Sequence, residues 1–142
     1  MKIDIDTLDK TFSEYIRLRD SDRYGTIRCI SCGKRIKWKY ADAGHYISRK
    51  NMSLRFDEKN VNAQCPICNR FRCGNLEKYR RGLMIKYGRF VIDYLENKKN
   101  EICQFSDLEI ELMILNYRKR IKILKQNKSL RLNIIHNDYI CS

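Results

Sequence analysis

Two cysteine pairs carry the strongest chemical signal in this sequence, Cys29-x-x-Cys32 and Cys65-x-x-Cys68. A two-residue gap lets both sulfurs of a pair face one ion, and two such pairs complete a tetrahedron of thiolates. The spacing therefore predicts a structural Zn²⁺, because a closed four-sulfur site has no open coordination position. The alternative is four buried reduced thiols, and the turn-forming residues beside each pair favour zinc over it. We expect the other three cysteines to pack in the protein, although Cys73 is near enough to Cys68 to substitute for it as a ligand. These cysteines are Cys73, Cys103 and Cys141.

His45 is one of only two histidines and lies between the cysteine pairs, in DAGHYISRK. Zinc would join the hairpin before His45 to the helix after Cys65, so that His45 faces Asn69. A neutral imidazole can accept a proton from water near pH 7, because histidine titrates at about pH 6.5. Asparagine and carboxylate oxygens are ligands that Mg²⁺ prefers. This set suits phosphodiester hydrolysis; the alternative is a histidine that packs beside zinc or in the core.

The charge of the chain predicts a polyanionic partner. Thirty Lys and Arg against 17 Asp and Glu give a net charge of +13, and nucleic acid is the leading candidate. No apolar run reaches the roughly 18 residues of a membrane span, and the start lacks a signal peptide, so we expect a cytoplasmic protein with reduced thiols and no membrane contact. The basic residues expected to contact nucleic acid are Arg49, Lys50, Arg55, Arg70 and Arg72.

Local patterns predict the elements that would position these residues. Apolar residues at helical spacing predict a helix over 6–20. The segment 26–40 alternates apolar and basic residues around CISCG, which predicts a hairpin with the first cysteine pair at its tip. A strand could continue through 44–48, a loop is expected over 51–60, and a helix should begin near Pro66.

The remainder of the chain is predicted to be helical. Asn75 and Gly88 bound one helix, a shorter one follows, and Ser106–Glu109 reads as a capping box that opens a helix to about Lys125. An apolar stripe on this last helix needs a partner, either its own domain, which we favour, or a second copy. The basic segment 118–131 could bind a second DNA arm or form a solvated face. The stripe residues are Ile110, Ile114, Tyr117, Ile121 and Leu124.

A family resemblance joins these signals. His45, Asn60 and Asn69, the last directly after C-P-I-C, resemble the His-Asn-His (HNH) nuclease pattern in its zinc-bearing ββα-metal form, whose third position is histidine or asparagine. The similarity extends in order over residues 8–88 to the NinG (Rap) family of phage recombination proteins. The resembling stretches are LDKTFSEYIRLRD, CISCGK, DAGHYISRK, LRFDEKNVNAQCPICNR and GNLEKYRRGL. The C-terminal helices carry no matching motif.

The resemblance implies a role for each of these residues. His45 would be the general base, Asn69 would help to hold a catalytic Mg²⁺ or Mn²⁺, and the Asn60 amide would tie the loop to the strand and so aim His45. Many members of the pattern have an aspartate ligand directly before the histidine, where this chain has Gly44.

Asp42 is the nearest carboxylate that could replace that aspartate. In a regular strand it would point away from His45, so a bulge at Ala43 and Gly44 would be needed to turn it toward the metal. Asp57 or Glu58 could serve instead.

The sequence thus predicts an α+β fold: a zinc-stabilised ββα-metal (HNH-like) core with an N-terminal helix over 1–88, and a basic helical C-terminal extension over 89–142. The predicted function is a metal-dependent DNA endonuclease, by resemblance acting on branched or joint DNA such as Holliday junctions in phage recombination. The alternatives are a non-catalytic zinc-ribbon nucleic-acid-binding protein and a protein-interaction adaptor. A homodimer is expected, because branch resolution normally uses two active sites.

Overall fold

A computed structural model describes the backbone of residues 4–140 and the side chains of residues 4–128. Cys141 and the side chains of residues 129–131, the end of the predicted basic segment, lie outside the described residues. The elements, in chain order, are helix α1 (Ile5–Arg19), strands β1 (Thr26–Arg28), β2 (Arg35–Lys37) and β3 (Asp42–His45), helix α2 (Met52–Arg55), strand β4 (Val61–Gln64) and helices α3 (Leu76–Tyr87), α4 (Phe90–Lys99) and α5 (Asp107–Ile140). The fold is therefore mixed α+β, as predicted.

Two small antiparallel sheets form the middle of the molecule. β1 pairs with β2 around the first cysteine pair, which confirms the predicted hairpin. β3 pairs with β4 in an uninterrupted register, with Asp42 opposite Gln64 and His45 opposite Val61. No bulge interrupts β3 at Gly44, so the bulge proposed for re-aiming Asp42 is wrong.

The segment between His45 and the second cysteine pair is more ordered than predicted. The expected loop over 51–60 contains α2, and β4 follows it without a sequence signal of its own. All four residues of β4 are buried, so the polar Asn62 and Gln64 on one face are as enclosed as Val61 and Ala63 on the other. A single helical turn, Ile67–Phe71, follows β4 after Pro66. The helix predicted to begin there is thus only one turn long.

The main hydrophobic core lies between the first and the last helix. Leu8, Phe12 and Ile16 of α1 pack with the predicted stripe of α5, in which Ile114 and Tyr117 are buried. The stripe therefore packs on its own chain. The Ser106 amide donates to the Glu109 carboxylate at 2.7 Å, and the Glu109 amide donates to Ser106 Oγ at 3.2 Å, which confirms the capping box. The division of the chain at residue 88 stays a prediction.

A second core lies under α3 and α4. Tyr79 and Leu83 of α3 pack with Leu95 of α4 and with Leu54 of α2. Asn75 and Gly88 bound α3 as predicted. Of the helices in the described part of the chain, none has the length and apolar character required to cross a membrane.

Candidate functional site: a four-cysteine cluster beside a histidine cleft

The four predicted cysteine ligands meet in one cluster. The sulfurs of Cys29, Cys32, Cys65 and Cys68 all lie within 4.8 Å of one another. Cys32 Sγ and Cys65 Sγ are 3.7 Å apart, which is close to the edge of about 3.8 Å of a tetrahedron with Zn–S distances of about 2.3 Å. A disulfide would need about 2.05 Å. The four cysteines could therefore hold a zinc ion, and Cys73 is exposed and outside the cluster.

The backbone fastens the first cysteine pair to the rest of the core. The Ile30 amide donates to the Ala63 carbonyl of β4 at 3.1 Å. On its other side, a Cβ at Gly82 of α3 would lie 2.0 Å from the Ile30 carbonyl oxygen. A glycine at this position lets α3 approach the cysteine loop closely. The cluster thus joins the β1–β2 hairpin to β4 and α3.

His45 ends β3 and lines a cleft of about 410 Å³ together with Asp9, Arg49, Asn69 and Gly74. His45 Nε2 lies 2.8 Å from the Arg55 carbonyl oxygen. Because a carbonyl can only accept, Nε2 carries the proton and Nδ1 keeps its lone pair in the neutral ring. Nδ1 has no hydrogen-bond partner among the described residues, so it is available as a proton acceptor.

The surroundings of His45 favour this neutral form. Burial lowers the pKa of the imidazole below its ordinary value of 6.5, and the nearby charges of Arg49 and Arg55 lower it further. The hydrogen bond to the Arg55 carbonyl and the charge of Asp9 act in the opposite direction without cancelling the shift. At neutral pH the ring is therefore a base.

The Asn60 side chain is fully buried and ties the loop to the end of β3. Its Nδ2 donates to the carbonyls of Ile47 at 2.9 Å and Leu54 at 3.1 Å, and its Oδ1 accepts from the Ile47 amide at 2.8 Å. The Asn60 carbonyl accepts from the Tyr46 amide at 2.9 Å. Asn60 thus holds the two residues that follow His45.

Asn69 lies on the helical turn Ile67–Phe71, which also contains Cys68, and its amide donates to the Cys65 carbonyl at 3.0 Å. Its side-chain Nδ2 donates to Asp42 Oδ2 at 3.0 Å. Arg70 also donates two hydrogen bonds to Asp42, from Nε to Oδ2 at 2.8 Å and from Nη2 to Oδ1 at 2.7 Å. Both oxygens of Asp42 therefore have donors, and a direct ligand role for Asp42 stays a prediction.

Gly44 stands where the HNH-like pattern commonly has an aspartate. A Cβ at this position would lie 1.9 Å from Gln64 Oε1 and 3.2 Å from Asn69 Oδ1. Gln64 of β4 thus fills the space beside Gly44, and no side chain larger than hydrogen fits there unless Gln64 moves.

The other two candidate carboxylates are engaged elsewhere. Asp57 accepts hydrogen bonds from Lys98 at 2.6 Å and from the Tyr94 hydroxyl at 2.7 Å. Glu58 accepts two hydrogen bonds from the Arg120 guanidinium, at 3.1 and 3.0 Å. Burial raises the pKa of each carboxyl, but these donors outweigh burial and hold both pKa values below their ordinary range. Neither lines the His45 cleft.

The five basic residues predicted to contact nucleic acid divide into two groups. Arg55 is ion-paired with Asp9, with Nε 3.0 Å from Oδ1, and Arg70 is paired with Asp42. Arg49, Lys50 and Arg72 are exposed, and within the described residues they form no ion pair.

The predicted basic segment of α5 is likewise only partly available. Arg120 packs over the Tyr15 ring and pairs with Glu58, and Lys125 pairs with Glu14 at 2.6 Å. Arg118, Lys119 and Lys122 are exposed.

Two contributors to the site were not predicted. The buried hydroxyl of Tyr79 donates to the Gly44 carbonyl at 2.7 Å and so holds the strand directly before His45. Gln64 carried no signal, because a glutamine beside a cysteine pair looks like any polar residue. Its position was recognisable only from the β3–β4 pairing.

Comparisons with known proteins confirm the resemblance to the NinG family. Residues 2–127 match the family model described as Bacteriophage Lambda NinG protein. The chain is 34% identical over 116 residues to Protein ninG of Escherichia phage lambda and to that of Salmonella phage P22, covering 81% of this chain and 54% of each relative. It is 33% identical over 116 residues to Protein ninG of Enterobacteria phage H19B, covering 81% of this chain and 55% of that relative.

The chain spans about half the length of the curated relatives it matches. No solved structure matches it. The family match covers nearly all of the described side chains, including the cysteine cluster, His45, Asn60 and Asn69. The chain therefore belongs to the NinG family of bacteriophage lambda.

Proposed function

We propose that this chain is a metal-dependent DNA endonuclease of the HNH type that hydrolyses phosphodiester bonds in branched or joint DNA during phage recombination. The observation that carries the proposal is the pairing of a neutral His45, with Nδ1 unpartnered among the described residues, and Asn69 in one cleft. A buried asparagine holds the loop behind this histidine.

Each residue has a task in the proposed reaction. His45 Nδ1 takes a proton from the attacking water, and the Arg55 carbonyl stabilises the charge that the ring gains. Asn69 is the residue proposed to hold Mg²⁺ or Mn²⁺, which would neutralise charge on the phosphate and the leaving oxygen. Arg49, Lys50 and Arg72, which are exposed, are the residues proposed to bind flanking phosphates. Zinc would be structural, because four sulfurs fill its coordination sphere.

A specific observation favours a second candidate, a zinc-bearing DNA-binding protein without catalysis. Gly44 supplies no carboxylate, and the carboxylates of Asp42, Asp57 and Glu58 are all engaged by donors. In either case DNA is the proposed partner, and a homodimer is proposed for symmetric action on a branch.

A cleavage assay separates the two candidates. Matched linear, flapped and four-way DNA would be incubated with the zinc-loaded protein, with and without Mg²⁺ or Mn²⁺. We expect metal-dependent cleavage, and its loss by at least about a hundredfold in His45→Ala, since a general base contributes about that much. Zinc content and DNA affinity should stay unchanged. Asn69→Ala should also lose cleavage activity, and a higher Mn²⁺ concentration should restore part of it. Asn97→Ala, at an exposed position of α4, is the control and should keep its activity. Binding without cleavage in every metal would favour the second candidate.

A further inference from the structure

Gln64 carries a buried acceptor that nothing in the described part of the chain satisfies. Its side chain is fully buried, and its Nε2 donates to Ser31 Oγ and to the Gly74 carbonyl, both at 2.7 Å. These two acceptors fix the orientation of the amide, because a flipped Oε1 would face the Gly74 carbonyl oxygen. Oε1 is left without a hydrogen-bond partner among the described residues, and a buried acceptor in that state costs free energy.

A second amide oxygen, Oδ1 of Asn69, lies near the same residue, Gly44. Asn69 donates its Nδ2 to Asp42 at 3.0 Å, which turns its Oδ1 away from that carboxylate. This Oδ1 lies 3.2 Å, and Gln64 Oε1 lies 1.9 Å, from the position that a Cβ on Gly44 would take. Two amide oxygen atoms therefore lie beside the one residue of β3 that has no side chain.

We propose that Gln64 Oε1 and Asn69 Oδ1 are the protein ligands of a divalent cation of the Mg²⁺ class, with Gln64 standing in for the carboxylate that residue 44 does not supply. The inference rests on the proposed function and names the cation ligands of its site. Amide oxygens are hard ligands suited to such a cation. Gly74, which accepts a hydrogen bond from the Gln64 amide, lines the His45 cleft together with Asn69, so the cation would lie at the wall of that cleft.

The same geometry gives Asp42 a different role from the predicted one. Its carboxylate is held by Arg70 and by the Asn69 amide, so in this arrangement it is a positioning residue that orients Asn69. Because both proposed ligands are neutral, we expect weak cation binding by the free protein and tighter binding once a DNA phosphate adds negative charge.

The test is a Mg²⁺ titration of zinc-loaded, isotope-labelled protein without DNA, followed by NMR. We expect the side-chain amide signals of Gln64 and Asn69 to shift together with one dissociation constant, and those of exposed Gln104 to stay in place. Movement of Asn69 without Gln64 would overturn the Gln64 assignment and leave the proposed nuclease intact. Movement of neither would overturn the cation site, whereas cleavage plays no part in this readout.

Variants give a second measurement of the same proposal. Gln64→Ala should weaken Mg²⁺ or Mn²⁺ binding about tenfold or more, and the control Gln104→Ala should not change it. The double variant Gly44→Asp with Gln64→Ala places a carboxylate in the vacated space and should restore binding. Gln64→Ala that keeps its zinc and binds the cation like the unmodified protein would overturn the proposal. If Gln64→Ala loses zinc, the titration of the unmodified chain decides alone.

Discussion

The orientation of the His45 ring is set by hydrogen bonds to backbone atoms around it, and not by a carboxylate partner. The Arg55 carbonyl fixes the ring through Nε2. The Tyr79 hydroxyl holds the Gly44 carbonyl before it, and Asn60 holds Ile47 after it. A carbonyl acceptor sets the tautomer without adding a negative charge that would raise the pKa of the ring as strongly as a carboxylate does. The imidazole therefore stays neutral at physiological pH.

The pH dependence of cleavage should report this environment. Burial and the charges of Arg49 and Arg55 lower the pKa of His45 below 6.5, and the hydrogen bond to the Arg55 carbonyl and the charge of Asp9 do not cancel this shift, so the proposed base is neutral above that pH. Its protonation should reduce the cleavage rate only as the pH falls through the lowered pKa. We expect an acid limb with its midpoint below pH 6.5, measured as single-turnover cleavage with metal in excess. A midpoint above about pH 7 would contradict the assignment of His45 as the base.

At the scale of the elements, α3 approaches the first cysteine loop closely. A Cβ at Gly82 would meet the Ile30 carbonyl oxygen at 2.0 Å. Gly82→Ala should lower the free energy of unfolding by about 1–3 kcal/mol, the cost of overpacking, although alanine favours helix by about 1 kcal/mol. Urea unfolding of the zinc-loaded protein measures the difference. Lys78→Ala, exposed on the same helix, should change stability by less than about 0.5 kcal/mol. Equal stability of the two variants would mean that α3 lies farther from the loop.

The packing of α5 on α1 allows a comparison of adjacent residues. Ile114 is 7% exposed and packs in the α1–α5 core, whereas Leu115 is 55% exposed. Ile114→Ala should destabilise the protein by about 2–5 kcal/mol, the usual cost of a large-to-small change in a core. Leu115→Ala should cost much less, because its side chain already contacts water. Denaturant midpoints at equal slope give both values, and a larger loss for Leu115→Ala would show that the opposite face of α5 is the buried one.

At the scale of the whole molecule, the cysteine cluster connects parts of the chain that are distant in sequence. Zinc removal or Cys29→Ser should therefore unfold the core, because metal binding contributes folding free energy in small domains. Metal analysis should find one zinc per chain, and circular dichroism should show the loss of structure. Cys73→Ser is the control, since Cys73 is exposed and outside the cluster, and it should keep both zinc and fold. A folded, metal-free Cys29→Ser protein would contradict the zinc assignment.

The sequence by itself determined the features that depend on neighbours along the chain. The C-x-x-C spacing specified a four-sulfur cluster, the apolar period specified the buried face of α5, and Ser106 and Glu109 specified its first turn. Turn geometry, helical periodicity and capping operate within a few residues, so local sequence is sufficient to predict them.

Only the tertiary structure decided which polar groups meet across the chain. The pairing of Asp42 with Arg70, of Arg55 with Asp9, and the approach of Gln64 to Gly44 each join segments far apart in sequence. β4 escaped prediction because its alternation of apolar and polar residues covers only Val61–Gln64, the short end of the pattern that identifies a strand. Such contacts depend on strand register and on the direction in which each helix approaches, and neither is encoded in the residues that lie next to one another.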